Sequence, residues 1–251
     1  AIVTHPVNKT TCEFGVVTFS TVATGSDLTY QWFVNKNDGF GFNAIADGGV
    51  YFGANAATLN IFGATRDMNG YIYNVTVSGC APSASSTDAT LTVNTAPEII
   101  TQPRDTTICS TGNAQYRIVA QGTALTYQWQ VKIGAAPFVN VTDGGIYSGA
   151  TTATLNLTGV PGTMNNSIFR VIVGGTCGVP LYSNFVLLRV NVPPTPVIHP
   201  QNKSVCDGSG PVFFIGNGSG LIDSLRWQVS TNGGVTWNDI YDNAIYSGTT
   251  S

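Results

Sequence analysis

The chain is 251 residues long and it repeats itself. A fixed internal period constrains the fold more tightly than composition does, because each period must close as one structural unit. Cys12, Cys109 and Cys206 are spaced 97 and 97 residues apart, Trp32, Trp129 and Trp227 by 97 and 98, and Tyr51, Tyr147 and Tyr246 by 96 and 99. Around these anchors the wording recurs. Leu28-Thr29-Tyr30-Gln31-Trp32 returns as Leu125-Thr126-Tyr127-Gln128-Trp129 and more loosely as Leu225-Arg226-Trp227-Gln228, and Tyr147-Ser148-Gly149 returns as Tyr246-Ser247-Gly248. The third copy stops after the tyrosine motif, before any counterpart of Met68 or Cys80. The spacing predicts two full repeats, 1–95 and 96–194, and an incomplete third, 195–251, lacking its C-terminal strands. The joints fall at Asn94-Thr95-Ala96-Pro97 and Val192-Pro193-Pro194-Thr195-Pro196. Proline fixes φ and favours extended backbone, so these joints predict stiff spacers between domains laid end to end.

Within one period, apolar and polar residues alternate over short runs bounded by Gly, Pro, Asn and Asp, which marks strands and turns, and no ten-residue helical pattern competes. In repeat 1 the runs are Val17 to Ala23, Leu28 to Val34, Leu59 to Ile61, Tyr73 to Val77 and Leu91 to Val93. The Asp-Gly-Gly turns at Asp47 and Asp143 supply glycines free to take positive φ. About seven strands per period predict an all-β chain of tandem immunoglobulin-like β-sandwich domains, with Trp32, Trp129 and Trp227 in the cores.

Gln128-Trp129-Gln130, Asp143-Gly144-Gly145-Ile146-Tyr147-Ser148-Gly149, Thr154-Leu155-Asn156-Leu157 and Met68-Asn69-Gly70-Tyr71-Ile72-Tyr73 resemble the tandem immunoglobulin-like repeats of very large secreted surface proteins of Bacteroidota. The resemblance covers the whole chain. It implies export, commonly through the type 9 secretion system, and roles as adhesins or extracellular filaments, including gliding adhesins. Two features depart from the antibody-type domain. Val75 and Val171 stand where the sixth-strand cysteine of the inter-sheet cystine would be, and the corner tyrosine position holds Tyr73 in repeat 1 but Phe169 in repeat 2.

Five cysteines leave at least one without a partner in this chain. Cys12 and Cys80 are 68 residues apart, as are Cys109 and Cys177, so one reading pairs them within each repeat. In an immunoglobulin-like sandwich, however, the second and sixth strands run parallel. Cys12 and Cys109 precede the second strand and Cys80 and Cys177 follow the sixth, which sets each pair at opposite ends. A six-residue strand spans about 20 Å, whereas bridged Cα atoms lie within about 7 Å. End-to-end stacking brings Cys12 towards Cys177 instead. The same rule pairs Cys109 with a cysteine in the absent half of the repeat that holds Cys206, and Cys80 with one upstream. The within-repeat pairs stay as the alternative, and both imply an oxidising, extracytoplasmic setting.

Charged residues are only 9% of the chain, against about 25% in ordinary soluble domains. With a net charge of −3 the chain lacks the basic footprint of nucleic-acid binding, and no apolar run approaches the roughly 20 residues that cross a bilayer. Neither nucleic acid nor membrane insertion is therefore expected. Uncharged sheet edges do little to keep copies apart, so self-association and contact with neighbouring repeats are.

Catalysis is not, since it needs converging titratable groups. His5 and His199 precede prolines at repeat starts, Glu13 and Glu98 lie at a turn and a domain entrance, and Asp47 and Asp143 read as turn formers. No cysteine pair has metal-ligand spacing, and no cofactor is implied. Phe42, Phe138 and Trp237 follow each tryptophan by nine or ten residues and are the candidate binding aromatics, against the plainer reading that they pack a sheet edge. The sequence thus predicts a structural or adhesive segment of a long extracellular fibre, non-catalytic, with binding of surface polysaccharide as the alternative.

Overall fold

A computed structural model describes residues 1–80, 82–220, 222 and 224–250. Repeat 1 is built from β1 (Ile2–Thr4), β2 (Lys9–Cys12), β3 (Val16–Ser20), β4 (Val22–Ala23), β5 (Thr29–Asn35), β6 (Phe42–Ala44), β7 (Tyr51–Phe52), β8 (Thr58–Phe62), β9 (Ile72–Ser78), β10 (Ala84–Ser85) and β11 (Ala89–Asn94). One sheet has the order β2-β11-β9-β5-β6 with β10 on β9, the facing sheet the order β3-β8-β7, and β1 pairs with β4. Alternation drives this: in β9 the residues Tyr73, Val75 and Val77 are buried and those between them are not, so one face of each sheet is apolar.

Repeat 2 uses β12 (Glu98–Thr101), β13 (Thr106–Cys109), β14 (Ala114–Arg117), β15 (Val119–Gln121), β16 (Thr126–Lys132), β17 (Val139–Asn140), β18 (Tyr147–Ser148), β19 (Thr154–Leu157), β20 (Ser167–Gly174), β21 (Leu181–Tyr182) and β22 (Val186–Asn191). Its sheets have the equivalent orders, β13-β22-β20-β16-β17 and β14-β19-β18. Each repeat is thus an immunoglobulin-like sandwich.

The recurring words each perform one physical task. Trp32 and Trp129 are fully buried, and each indole N–H donates to a turn carbonyl, Ala56 O at 2.9 Å and Thr152 O at 3.0 Å. The neighbouring Gln31 and Gln128 donate from Nε2 to Ile45 O and Val141 O, tying β5 and β16 to the next segment. Asp47 Oδ1 accepts the Ala54 N–H and Asp143 Oδ1 the Ala150 N–H, both at 2.7 Å. Asn69 and Asn165 accept the Val93 and Val190 N–H groups.

Two expectations change. Eleven short strands replace the seven read from the alternation, and Cys12 and Cys109 end strands of their own, β2 and β13, which pair in parallel with β11 and β22. Tyr73 is not a corner residue bonded to the backbone. Its ring is buried on Phe19 and its hydroxyl meets the Tyr51 hydroxyl at 3.3 Å.

The described part of 195–250 forms only β23 (Thr195–Ile198) with β24 (Asn217–Ser219) and β25 (Gln228–Val229) with β26 (Asn238–Asp239). Trp227 is correspondingly half-buried rather than a closed core, and Phe213, Phe214 and Ile215 are exposed. The strands that cover Trp32 and Trp129, β8 with β9 and β19 with β20, have no counterpart among the described residues there.

Candidate functional site

The described residues contain no group of His, Cys, Asp or Glu able to hold a metal ion. The titratable groups that recur are absorbed by structure. His5 Nδ1 accepts the Thr87 N–H at 3.0 Å, and Gln102 in the same place of repeat 2 accepts the Asn184 N–H at 2.9 Å, so the position asks for an acceptor and not for a base. Asp242, the third copy of Asp47 and Asp143, accepts both the N–H and the hydroxyl of Thr249, and the backbone N–H above all holds its carboxyl below the usual range. Glu13 pairs with Arg66, and Glu98 accepts from Gln121.

The feature that joins distant residues is the seam between repeats 1 and 2. Cys12 and Cys177 are disulfide-bonded, with Cα atoms 5.9 Å apart and a sequence separation of 165. Cys12 is placed by the parallel register of β2 on β11, which sets it opposite Asn94, the last strand residue before the linker. Cys177 follows β20 in a loop whose glycines make room for that linker. A Cβ on Gly178 would meet Ala96 Cβ at 2.9 Å and one on Gly175 would meet Pro97 Cγ at 3.1 Å, while Gly122, at φ +144°, would meet Ala96 O at 2.9 Å. Two threonines close the seam: Thr95 N–H donates to Thr123 Oγ1 at 2.9 Å, and Thr123 N–H to Thr95 O at 3.1 Å.

Cys80, Cys109 and Cys206 are free and exposed among the described residues. Neither within-repeat pair forms, since Cys12 and Cys177, one member of each, are bonded to one another.

The candidate aromatics do not share an environment. Phe42 is partly exposed beside polar neighbours, and Trp237 is 58% exposed. Phe138 alone lies in a cluster, its ring stacked on Phe185 at 5.4 Å with the Arg170 guanidinium 4.1 Å from its centroid. The partners of Phe138 were not legible in the sequence, because Arg170, Tyr182 and Phe185 sit 32 to 47 residues downstream, on β20, on β21 and in the loop before β22, which only the sheet order brings alongside.

The architecture defines a class: a tandem array of immunoglobulin-like domains. Among solved structures, the chain is similar to the titin I-band fragment I67–I69, at 14% identity over 100% of this chain and 85% of that one, with a TM-score of 0.67. An E-to-A variant of the same three titin domains gives 14% identity, 97% and 81% coverage, and the same TM-score. The Rst D1-D2 structure matches at 22% identity over 76% of this chain and 98% of its own, with a TM-score of 0.55. No protein-family profile and no curated protein sequence matches the chain. No helix among the described residues is long and apolar enough to cross a membrane.

Proposed function

We propose that the chain is a repeat segment of a long extracellular fibre, structural and adhesive rather than catalytic, as its resemblance to the surface repeats of Bacteroidota implies. The observation that carries this reading is the Cys12–Cys177 bond across the joint between repeats. Such a bond persists in oxidising compartments outside the cytoplasm. It fixes the angle between neighbours and carries tension covalently, which serves length and stiffness and contributes nothing to a catalytic centre. The repeats 1–95 and 96–194, followed by the incomplete 195–251, then act as successive units of one array, and function resides in their number. By the same rule the exposed Cys109 would bond a cysteine in the rest of the repeat that holds Cys206, and Cys80 one in a repeat upstream, and a chain with only 9% charged residues leaves copies free to associate.

Pulling single molecules by their ends tests this. With the bond intact, the 165-residue loop is locked out of extension. The fully stretched chain is then shorter by roughly 550–600 Å, at about 3.3–3.6 Å per residue, than the chain in reductant. Equal contour lengths in the two conditions would remove the proposal.

A further inference from the structure

We infer that the outer face of the β20 sheet in repeat 2 is a binding site for an anionic sugar, a pyranose ring bearing a carboxylate or sulfate. The site is centred on Arg170, held against three aromatic rings: its guanidinium carbon lies 4.1 Å from the Phe138 ring centroid, 4.5 Å from that of Tyr182 and 5.9 Å from that of Phe185. Its orientation is fixed by a relay along the face. Arg170 Nε donates to Gln130 Oε1 at 2.8 Å, and Gln130 Nε2 donates to Asn140 Oδ1 at 2.8 Å. Among the described residues no carboxylate pairs with Arg170, and Nη1 and Nη2 have no acceptor. A planar, oriented cation with spare donors is suited to grip a carboxylate or sulfate with two parallel hydrogen bonds. Beside it Tyr182 and Phe185 remain 55% and 63% exposed, offering ring faces to the apolar C–H face of a sugar.

Comparison of the two repeats separates this cluster from the needs of the fold. Sheet register places Asn74, Ser85 and Asp88 of repeat 1 where repeat 2 has Arg170, Tyr182 and Phe185. There Asn74 Nδ2 donates to Asp88 Oδ1 at 3.0 Å, and Ser85 and Thr76 hydroxyls meet at 3.1 Å, a closed polar surface. The same sandwich therefore forms without the rings of Tyr182 and Phe185 and without the cation. A four-side-chain patch falls well short of the roughly 800 Å² per partner that stable protein interfaces bury, but it matches one or two sugar rings. Its neighbours Gln130 and Asn140 are uncharged hydrogen-bonding groups of the kind that meet hydroxyls.

The test is calorimetric titration of the full chain with tetragalacturonate and with a neutral galactose tetramer. Binding of the uronate alone, weakened by salt, is expected. Because repeat 1 already folds with those residues, the triple transplant Arg170→Asn, Tyr182→Ser, Phe185→Asp keeps the fold and should weaken binding by about tenfold or more. Arg170→Lys, which keeps the charge and loses the fork, should weaken it by several-fold, and Phe42→Ala should leave it unchanged. Absence of uronate binding at millimolar concentration, equal binding of the neutral tetramer, or full binding by the triple variant would overturn the proposal. Equal, Arg170-dependent binding of a glutamate-rich peptide would overturn the sugar assignment. The proposal is independent of the covalent joint, since Cys12→Ser leaves this face untouched.

Discussion

At the centre of repeat 1, Phe19 stacks on Tyr73 with centroids 4.9 Å apart, and at the centre of repeat 2, Tyr116 stacks on Phe169 at 5.0 Å. The pair is the same but the hydroxyl has changed strands. In repeat 1 it meets the Tyr51 hydroxyl, while Tyr116 Oη is buried without a hydrogen-bond partner among the described residues, and burial pushes the pKa of both Tyr73 and Tyr116 up. A buried polar group left unpaired costs about 1–3 kcal/mol. Tyr116→Phe should therefore raise the stability of repeat 2 by about 1 kcal/mol, whereas Tyr73→Phe should lower that of repeat 1 by about 1 kcal/mol, through loss of a made bond. Denaturant midpoints of the two variants check both signs. The aromatic positions are readable from the period of the sequence, but which hydroxyl is satisfied depends on Tyr51, brought in by β7, and on Met164, brought in by the 3-10 turn before β20, which takes the Tyr147 hydroxyl.

At the scale of elements, the long strands β5, β9, β16 and β20 are legible as alternating runs because seven or eight residues give two to four buried positions each. Strands of two residues, such as β7, β10 and β21, carry no period and exist only because a neighbour supplies the ladder. The loops at the seam likewise depend on context. Gly25 and Gly122 occupy equivalent turns at φ +150° and +144°, but a Cβ on Gly25 would meet only the Leu28 side chain, whereas one on Gly122 would strike Ala96 O and Pro97 Cα in the linker. Gly122→Ala should thus cost more than Gly25→Ala by about 1–3 kcal/mol, the range of an overpacked contact, since the two share nearly the same backbone φ. It should also speed reduction of the Cys12–Cys177 bond by dithiothreitol. Equal reduction rates in the two variants would show that the linker is not seated as described.

At the scale of the molecule, the chain-entropy estimate for closing a 165-residue loop is about 5 kcal/mol, so the bond couples the unfolding of repeats 1 and 2. The double variant Cys12→Ser, Cys177→Ser should leave both sandwiches folded. Small-angle scattering should then show a broader distribution of end-to-end distance. The same scale governs association. Phe52 and Phe62 meet edge-on at 5.3 Å, both 48% exposed, on the outer face of β7 and β8 in repeat 1, where the equivalent positions of repeat 2 are Ser148 and Thr158. Replacing Phe52 by Ser and Phe62 by Thr should reduce any concentration-dependent increase in sedimentation coefficient.

The sequence by itself determined the period, the all-β class and the buried tryptophans, because recurrence and alternation are local properties of the text. It also held the Gln, Asp and Asn residues that tie each turn, although their bonds became visible only in the fold. Which cysteines meet was decided by tertiary structure: the parallel seating of β2 on β11 carries Cys12 to the end of its sandwich, where the loop after β20 of the next repeat delivers Cys177. The Arg170 stack was decided in the same way, since its four members come from separate strands and loops and adjoin only after the sheet has formed. Periodicity reports which face a residue takes, and only strand order and register report its neighbours.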